Sequence, residues 1–114
     1  MFVTVQLNGE ITIGKLVVHD ANNVWRQATS TDQHKLGVLN SIELVEGVYW
    51  GKLVLAGTAY ALAGSNIEDQ GGWLGSDDEG NAVVTQSENC GIIAPLSRGQ
   101  ASMTQGDLIL VCIR

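Results

Sequence analysis

Hydrophobic and polar residues alternate along most of the chain with the two-residue period of a β-strand. The opening stretch FVTVQLN shows this alternation first, and KLVVHD, VWRQATS, LGVLNSIELVEG and VYWGKLVLAG repeat it after short gaps. DLILVCIR, at the end, is the most apolar of these segments. No window carries the sustained 3.6-residue stripe of an amphipathic helix. We therefore predict an all-β fold, a compact β-sandwich or barrel built from successive hairpins.

Turn residues divide these segments. Asn8-Gly9 is a strong two-residue turn signal and predicts a hairpin that joins the first two strands. A polar turn at residues 20–23, Gly47, and the segment TAYALAG predict the hairpins that follow. The pattern weakens at residues 65–72, where we expect a loop or a short helical turn. Pro95 cannot donate a ladder hydrogen bond, so it should lie at a sheet edge, at a strand end or in a bulge.

Length and composition fit one folded unit. The 114 residues predict a single β domain over residues 1–114, in which residues 1–8 form an N-terminal strand or an arm. The 14 glycines and single proline are typical of a chain with many tight turns. An apolar content of 45% is enough for burial to offset the entropy lost on folding, which argues against disorder.

Charge and apolar run length argue against nucleic acid and membranes as partners. The formal net charge is −6, and the six cations are isolated from one another along the chain, so direct binding of nucleic acid is not expected. No apolar run reaches the roughly 20 residues that span a bilayer, and we expect no membrane association. The N-terminal stretch lacks the basic region and the long apolar core of a secretory signal, which predicts synthesis and folding in a cytoplasm.

Two cysteines fit that compartment as reduced thiols. Cys112 alternates with apolar residues and is predicted to lie in the core, whereas Cys90, between polar residues and Gly91, is a candidate for exposure. A disulfide between the two stays open as an alternative.

The acidic stretch GGWLGSDDEGNAVV raises the question of a calcium site. An EF-hand loop needs glycine at its sixth position and glutamate at its twelfth, and a count from Asp77 places the glycine two positions early. The calcium-binding nonapeptide pattern is also out of register by one residue, and it occurs only once. A hairpin with a solvated acidic turn explains the stretch better. We predict no metal and no cofactor.

No residue set supports catalysis. His19 and His34 are each flanked by polar residues and could in principle act as bases, but no nucleophile and acid accompany them in a known order. The glutamate near Cys90 does not favour a thiolate. We therefore predict no catalytic residue and no enzymatic activity.

The aromatic residues point instead to binding. Tyr49 and Trp50 are neighbours on a predicted strand, so one should enter the core while the other faces outward. An exposed aromatic on a β protein is typical of a protein interface or a sugar platform. Trp25, Trp50 and Trp73 are the candidates for a sugar platform.

Several segments together resemble the small all-β capsid decoration (cement) proteins of tailed bacteriophages. The similarity lies in the glycine and valine rhythm of GKLVVHDANNVWRQAT, KLGVLNSIELVEGVYWGKLVLAGTAYAL, GGWLGSDDEGNAVVTQ and CGIIAPLSRGQASMTQGDLILVCIR. It covers the chain from about Gly9 to Arg114. ENCGIIAPL and the acidic run at residues 77–79 depart from it.

The resemblance implies a homotrimer on the outer capsid surface of a virion, bound to the major capsid protein and stabilising the shell. It implies no catalytic residue and no cofactor. An N-terminal segment against the shell would be Met1-Phe2-Val3, and together with the aromatic residues this gives a predicted interface set. The predicted interface residues are Met1, Phe2, Val3, Tyr49, Trp50 and Trp73. A low-copy tail, fibre or head-knob module and a carbohydrate-binding module remain as alternatives.

Overall fold

The computed structural model describes residues 1–20, 22–65, 67–68, 72–85, 89–93, 102–103 and 106–114. Every regular element in these ranges is a β-strand. In chain order the strands are β1 (Phe2–Leu7), β2 (Leu16–His19), β3 (Val24–Gln27), β4 (Gly37–Val45), β5 (Val48–Val54), β6 (Gly57–Leu62), β7 (Ile67–Glu68), β8 (Trp73–Ser76), β9 (Ala82–Val84), β10 (Ile92–Ile93), β11 (Ser102–Met103) and β12 (Leu108–Ile113). The predicted all-β class is confirmed.

Five strands close into a barrel in the order β1-β3-β2-β4-β5, with β5 returning to β1. The closing pair is antiparallel and runs from Phe2 opposite Val54 to Gln6 opposite Trp50. β1 and β3 form the parallel pair of the barrel. Closure leaves this half of the molecule without a free sheet edge.

The remaining strands form a second sheet in the order β6-β12-β10-β8-β9, and β7 pairs with β11 separately. Its longest pairing joins β6 to β12 over six positions, from Gly57 opposite Ile113 to Leu62 opposite Leu108. A bridge between Ala63 and Ala82 brings the end of β6 to the start of β9. The fold is therefore a closed barrel with a strongly curved sheet packed against it.

Three predicted hairpins are confirmed. β4 and β5 are joined at Glu46 and Gly47, whose φ angles of 51° and 80° are those of the type I′ turn that suits a two-residue hairpin loop. β2 and β3 pair with each other on either side of the polar segment between His19 and Val24, and β8 and β9 pair across the acidic turn at residues 77–81.

Two predicted hairpins are wrong. β1 does not pair with β2 across Asn8-Gly9 but lies between β3 and β5. The chain after the turn instead buries Ile11 in the barrel core, and this burial outweighs the local turn preference. β6 does not pair with β5 either, because the end of β5 stays with β1 through a bond from Leu55 N to Met1 O.

The prediction of a loop or helical turn over residues 65–72 is wrong at Ile67 and Glu68, whereas Ser65 and Gly72 lie outside any strand, as expected. Ile67 and Glu68 form a strand because they pair with the backbone of Ser102 and Met103, which lie far along the chain. Pro95 lies outside the described residues.

Two hydrophobic cores hold the molecule together. The barrel interior is filled by Leu7, Ile11, Val17, Leu39 and Leu53. A larger core lies between the barrel wall and the second sheet. It includes Leu16, Val18, Val38 and Val54 from the barrel strands. Successive residues of β2 thus enter different cores, which explains why LVVH reads as a continuous apolar run.

Candidate interaction surface

The second sheet leaves an apolar surface on its outer side, which we call the outer β6–β12 face. In β12, Ile109, Val111 and Ile113 are buried, so the alternate residues point away from the barrel. In β6 the buried residues are Ala59 and Ala61. The outer β6–β12 face consists of Thr58, Tyr60, Leu62, Leu108, Leu110 and Cys112.

Three side chains of this face are unusually exposed for their type. Tyr60 is 61% exposed, Leu108 is 57% exposed and Leu110 is 38% exposed. Leu110 lies directly opposite Tyr60 in the strand register, and Leu108 lies opposite Leu62. Direct cross-strand partners on one face stand about 5 Å apart, so these residues form one continuous patch. Contiguous apolar patches of this kind mark interaction sites on soluble proteins.

The sequence-based interface set does not contain this face. The aromatic residues of the predicted set lie on β1, β5 and β8, and the one residue of β12 with a predicted position, Cys112, was expected in the core. The sequence did contain a feature that could have indicated this face. Both alternating sets of side chains in LILVCI are apolar, and β6, which pairs with it, contains no charged residue. A strand buried on one side only would alternate with polar residues.

The structure does place two of the predicted interface residues on a common outward surface, which we call the β1–β5 strip. Phe2 is 58% exposed and Trp50 is 38% exposed, and both point away from the barrel interior. Lys52 lies between them on β5, with its Nζ 6.0 Å from the centroid of the Phe2 ring. Phe2 and Trp50 lie four register positions apart, or roughly 13 Å. Met1 is exposed at the start of this strand.

Val3 and Tyr49 point the other way and pack against the barrel core. The Tyr49 hydroxyl lies at the barrel mouth, where it donates a hydrogen bond to Glu10 Oε2 at 3.1 Å. This bond to a carboxylate raises the pKa of Tyr49 above the ordinary tyrosine value. The predicted opposite orientations of Tyr49 and Trp50 are therefore confirmed, and Tyr49 is the member that turns inward.

The three tryptophans do not share a surface. Trp25 packs against the barrel core and its ring lies 5.4 Å from the ring of His19. Trp50 faces outward on the barrel, and Trp73 lies on β8 of the second sheet under the guanidinium of Arg114, 5.1 Å from the ring centroid. A sugar platform made of these three side chains is therefore not assembled by the fold.

The acidic turn connects the second sheet to the barrel. Asp77 Oδ1 accepts bonds from the backbone nitrogens of Glu79 and Asn81, both at 2.9 Å, and so closes the turn on itself. Gly80 adopts a φ of 75°, and its carbonyl accepts a bond from Leu16 N at 2.7 Å. Asn81 Oδ1 accepts a bond from Lys15 Nζ at 2.7 Å.

The next carboxylate in the turn also contacts the barrel side of the molecule. Asp78 is hydrogen-bonded to the Ser30 hydroxyl and to its backbone nitrogen, and these bonds lower the pKa of Asp78. Asp77 therefore closes the hairpin turn, which agrees with the sequence interpretation, and Asp78 links that turn to the segment after β3. Among the residues that the structure describes, no cluster of three or more His, Cys, Asp or Glu side chains could hold a metal ion.

An ion pair fixes the connection between β3 and β4. Arg26 forms a two-pronged ion pair with Asp32, with both N–O distances at 2.9 Å. Asp32 is only 5% exposed, and its Oδ2 also accepts a bond from Thr29 N at 2.8 Å. The hydrogen bonds from Arg26 lower the pKa of Asp32, and burial opposes this shift only in part. This contact holds the loop between β3 and β4 in place.

The two cysteines are free thiols, and their predicted positions are reversed. Cys90 is buried beside the Asp32 carbonyl, and burial raises the pKa of its thiol. Cys112 lies on the outer β6–β12 face and is partly exposed. The core prediction for Cys112 is wrong because its neighbours Val111 and Ile113 take the inward positions of β12.

Compared with known protein families, curated protein sequences and solved structures, the chain gives no match. Within the described ranges, no helix has the length and apolar character needed to cross a membrane.

Proposed function

We propose that this chain is a virion structural protein that decorates and stabilises the outer face of a bacteriophage capsid as a homotrimer, with the major capsid protein as its partner. The observation that carries the proposal is the outer β6–β12 face, where large apolar side chains remain exposed on a well-paired sheet. The pattern of glycines and valines resembles that of capsid decoration proteins, and this resemblance suggests that the exposed face serves assembly on a capsid.

The distribution of polar groups supports the same role. The ion pair of Arg26 with Asp32 and the bonds of the acidic turn connect parts of this chain to one another. A protein whose polar side chains secure its own fold while apolar faces stay exposed is suited to assembly contacts. Threefold attachment would turn modest contacts at each subunit into strong binding to a fixed lattice.

The β1–β5 strip supplies a second contact region for such an assembly. Phe2 and Trp50 would contact the shell, with Met1 at the edge of the same surface. The net charge of −6 would keep the protein from adhering to nucleic acid released from broken particles.

Co-sedimentation with expanded and with compact shells of its own phage, both free of this protein, tests the proposal. We expect saturable binding to expanded shells at one chain per capsid subunit or a simple fraction of that ratio, and weak binding to compact shells. Absence of binding, or equal binding to both kinds of shell, contradicts the proposal. Bovine serum albumin, which is also acidic, serves as the control for nonspecific sedimentation.

A further inference from the structure

We infer that the outer β6–β12 face is the surface through which copies of this chain associate with one another, so that the occupant of the patch is a second copy. The inference deepens the proposed function and rests on the homotrimer named there. It assigns to one strand pair the contact between subunits and leaves the contact with the shell to other surfaces.

The absence of charge on both strands is the first argument. The sequences GTAYAL and LILVCI contain no aspartate, glutamate, lysine, arginine or histidine. Two copies that each carry a net charge of −6 repel one another wherever their acids meet. An uncharged face is where identical acidic chains can approach without bringing like charges together. A strongly basic partner would be drawn to the acidic surfaces instead.

The borders of the patch have the composition of an interface rim. Asp107 directly precedes β12 and Arg114 directly follows it, so charges of both signs stand at the two ends of the strand. Interfaces between proteins commonly combine an apolar centre, often with tyrosine, and a polar rim. The loop before β2 covers one end of the patch, since a Cβ at Gly14 would lie 3.0 Å from Leu108 Cδ2.

The exposed area is appropriate for the centre of a subunit contact. Tyr60, Leu108 and Leu110 together expose roughly 300 Å², taking the usual size of large apolar side chains. A stable interface buries about 800 Å² on each partner. The three side chains would thus supply over a third of one side of the contact, and the strand ends would supply the rim. A cyclic trimer joins two different surfaces at each contact, so this face is one half of that contact.

Light scattering over a concentration series of the full chain tests the inference with matched variants. L108E and L110E place a carboxylate in the patch, and L44E is the control, because Leu44 is a strand leucine of equal exposure, 56%, on the barrel. We expect an oligomer for the wild type and for L44E. We expect the dissociation constant to rise on the order of 100-fold in L108E and L110E, since the new charge would be buried without a partner.

Alkylation of Cys112 provides a second readout that needs no substitution. In the wild type its rate should fall as protein concentration rises, because association covers the patch, while the buried Cys90 stays slow throughout. Circular dichroism confirms that each variant keeps its β-fold. A wild type that is monomeric at every soluble concentration overturns the inference, and so does an oligomer that persists in L108E and L110E.

These results are separate from those of co-sedimentation. A monomeric wild type that still binds expanded shells removes the subunit contact and leaves capsid decoration standing. An oligomer that depends on Leu108 but fails to bind shells confirms the contact and removes the proposed function.

Discussion

The barrel and the second sheet use their strands differently. Strand β2 and the adjoining ends of β4 and β5, Val38-Leu39 and Leu53-Val54, are buried on both faces, because one face lines the barrel interior and the other packs against the second sheet. In the second sheet, β6 and β12 bury only their inner residues. Their outer residues are nevertheless apolar. The comparison teaches that an apolar strand need not be covered on both sides: β2 has a core on each side, whereas the outer residues of β12 stay exposed or partly exposed.

The side chains that face the cores also differ in size between the barrel and the second sheet. The barrel interior is built of bulky side chains such as Leu39 and Leu53, whereas β6 presents alanines to the shared core. Small side chains allow the backbone of β6 to approach the barrel closely. The second sheet thus depends on the barrel for its packing, and the barrel contains a core of its own.

The largest expected effect comes from the shared core. Leu16→Ala removes a fully buried side chain between the two regions, and the free energy of unfolding should fall by about 2–5 kcal/mol, since the site cannot collapse completely. Leu44→Ala, which truncates an exposed leucine on the barrel, should change it by less than about 0.5 kcal/mol. Urea unfolding followed by tryptophan fluorescence measures both. Equal losses in the two variants would mean that the two regions are not joined by this core.

A smaller effect is expected at the barrel loop. Asp32→Asn removes a charged partner from Arg26, and stability at pH 7 should fall by about 1.5–3 kcal/mol, the range for hydrogen bonds to charged groups. Because Arg26 remains one-third exposed, the lower end of that range is expected.

The same pair gives a pH dependence with a definite sign. Folding lowers the pKa of Asp32, so its contribution is complete above its unfolded value of about 3.9 and is lost as the pH falls through the lower folded value. The stability difference between the wild type and Asp32→Asn should therefore be constant near neutral pH and close in acid. A difference that grows as the pH falls would contradict this assignment.

The acidic turn should contribute less. Asp77→Ala removes two hydrogen bonds to backbone nitrogens and should lower the free energy of unfolding by about 1 kcal/mol. Glu79→Ala is the control in the same turn and should be nearly neutral, since Glu79 is exposed. Thermal unfolding of both variants with and without calcium also tests the hairpin interpretation. A calcium-dependent shift that Asp77→Ala abolishes would favour a metal site instead.

The smallest perturbation is labelling of the thiols. Cys112 should react first with iodoacetamide in the dilute native protein, because it is partly exposed, and Cys90 should react only after unfolding, because burial both hides it and raises its pKa. Mass spectrometry of the labelled peptides identifies the reactive residue. Faster labelling of Cys90 would show that the assignment of inner and outer faces in this region is wrong.

The sequence pattern predicted what local chemistry controls. The β class followed from alternation, and the Glu46-Gly47 and acidic-turn hairpins followed from turn residues. The sequence pattern did not predict strand pairing between segments that are distant in sequence. Asn8-Gly9 has the chemistry of a hairpin, yet β1 pairs with strands that are distant in sequence.

The interaction surface was missed for a related reason. Tyr60, Leu108 and Leu110 are ordinary members of apolar strands in the sequence, and only the strand register shows that they share one outward face. When both alternating sets of side chains in a strand are apolar, the sequence pattern does not show which set faces the core. For the same reason Cys112 was wrongly predicted to lie in the core, whereas Cys90 was wrongly predicted to be exposed because its polar neighbours in sequence do not show that the fold buries it.

A cryo-electron microscopy reconstruction of expanded shells decorated with this protein tests the central claim most directly. We expect external density with threefold symmetry into which three copies fit, with the outer β6–β12 face of each copy against its neighbour. Shells that show no added density after incubation with a molar excess of the protein would contradict capsid decoration. Isolated single copies whose Tyr60 and Leu108 face solvent would contradict the trimer and its assigned surface.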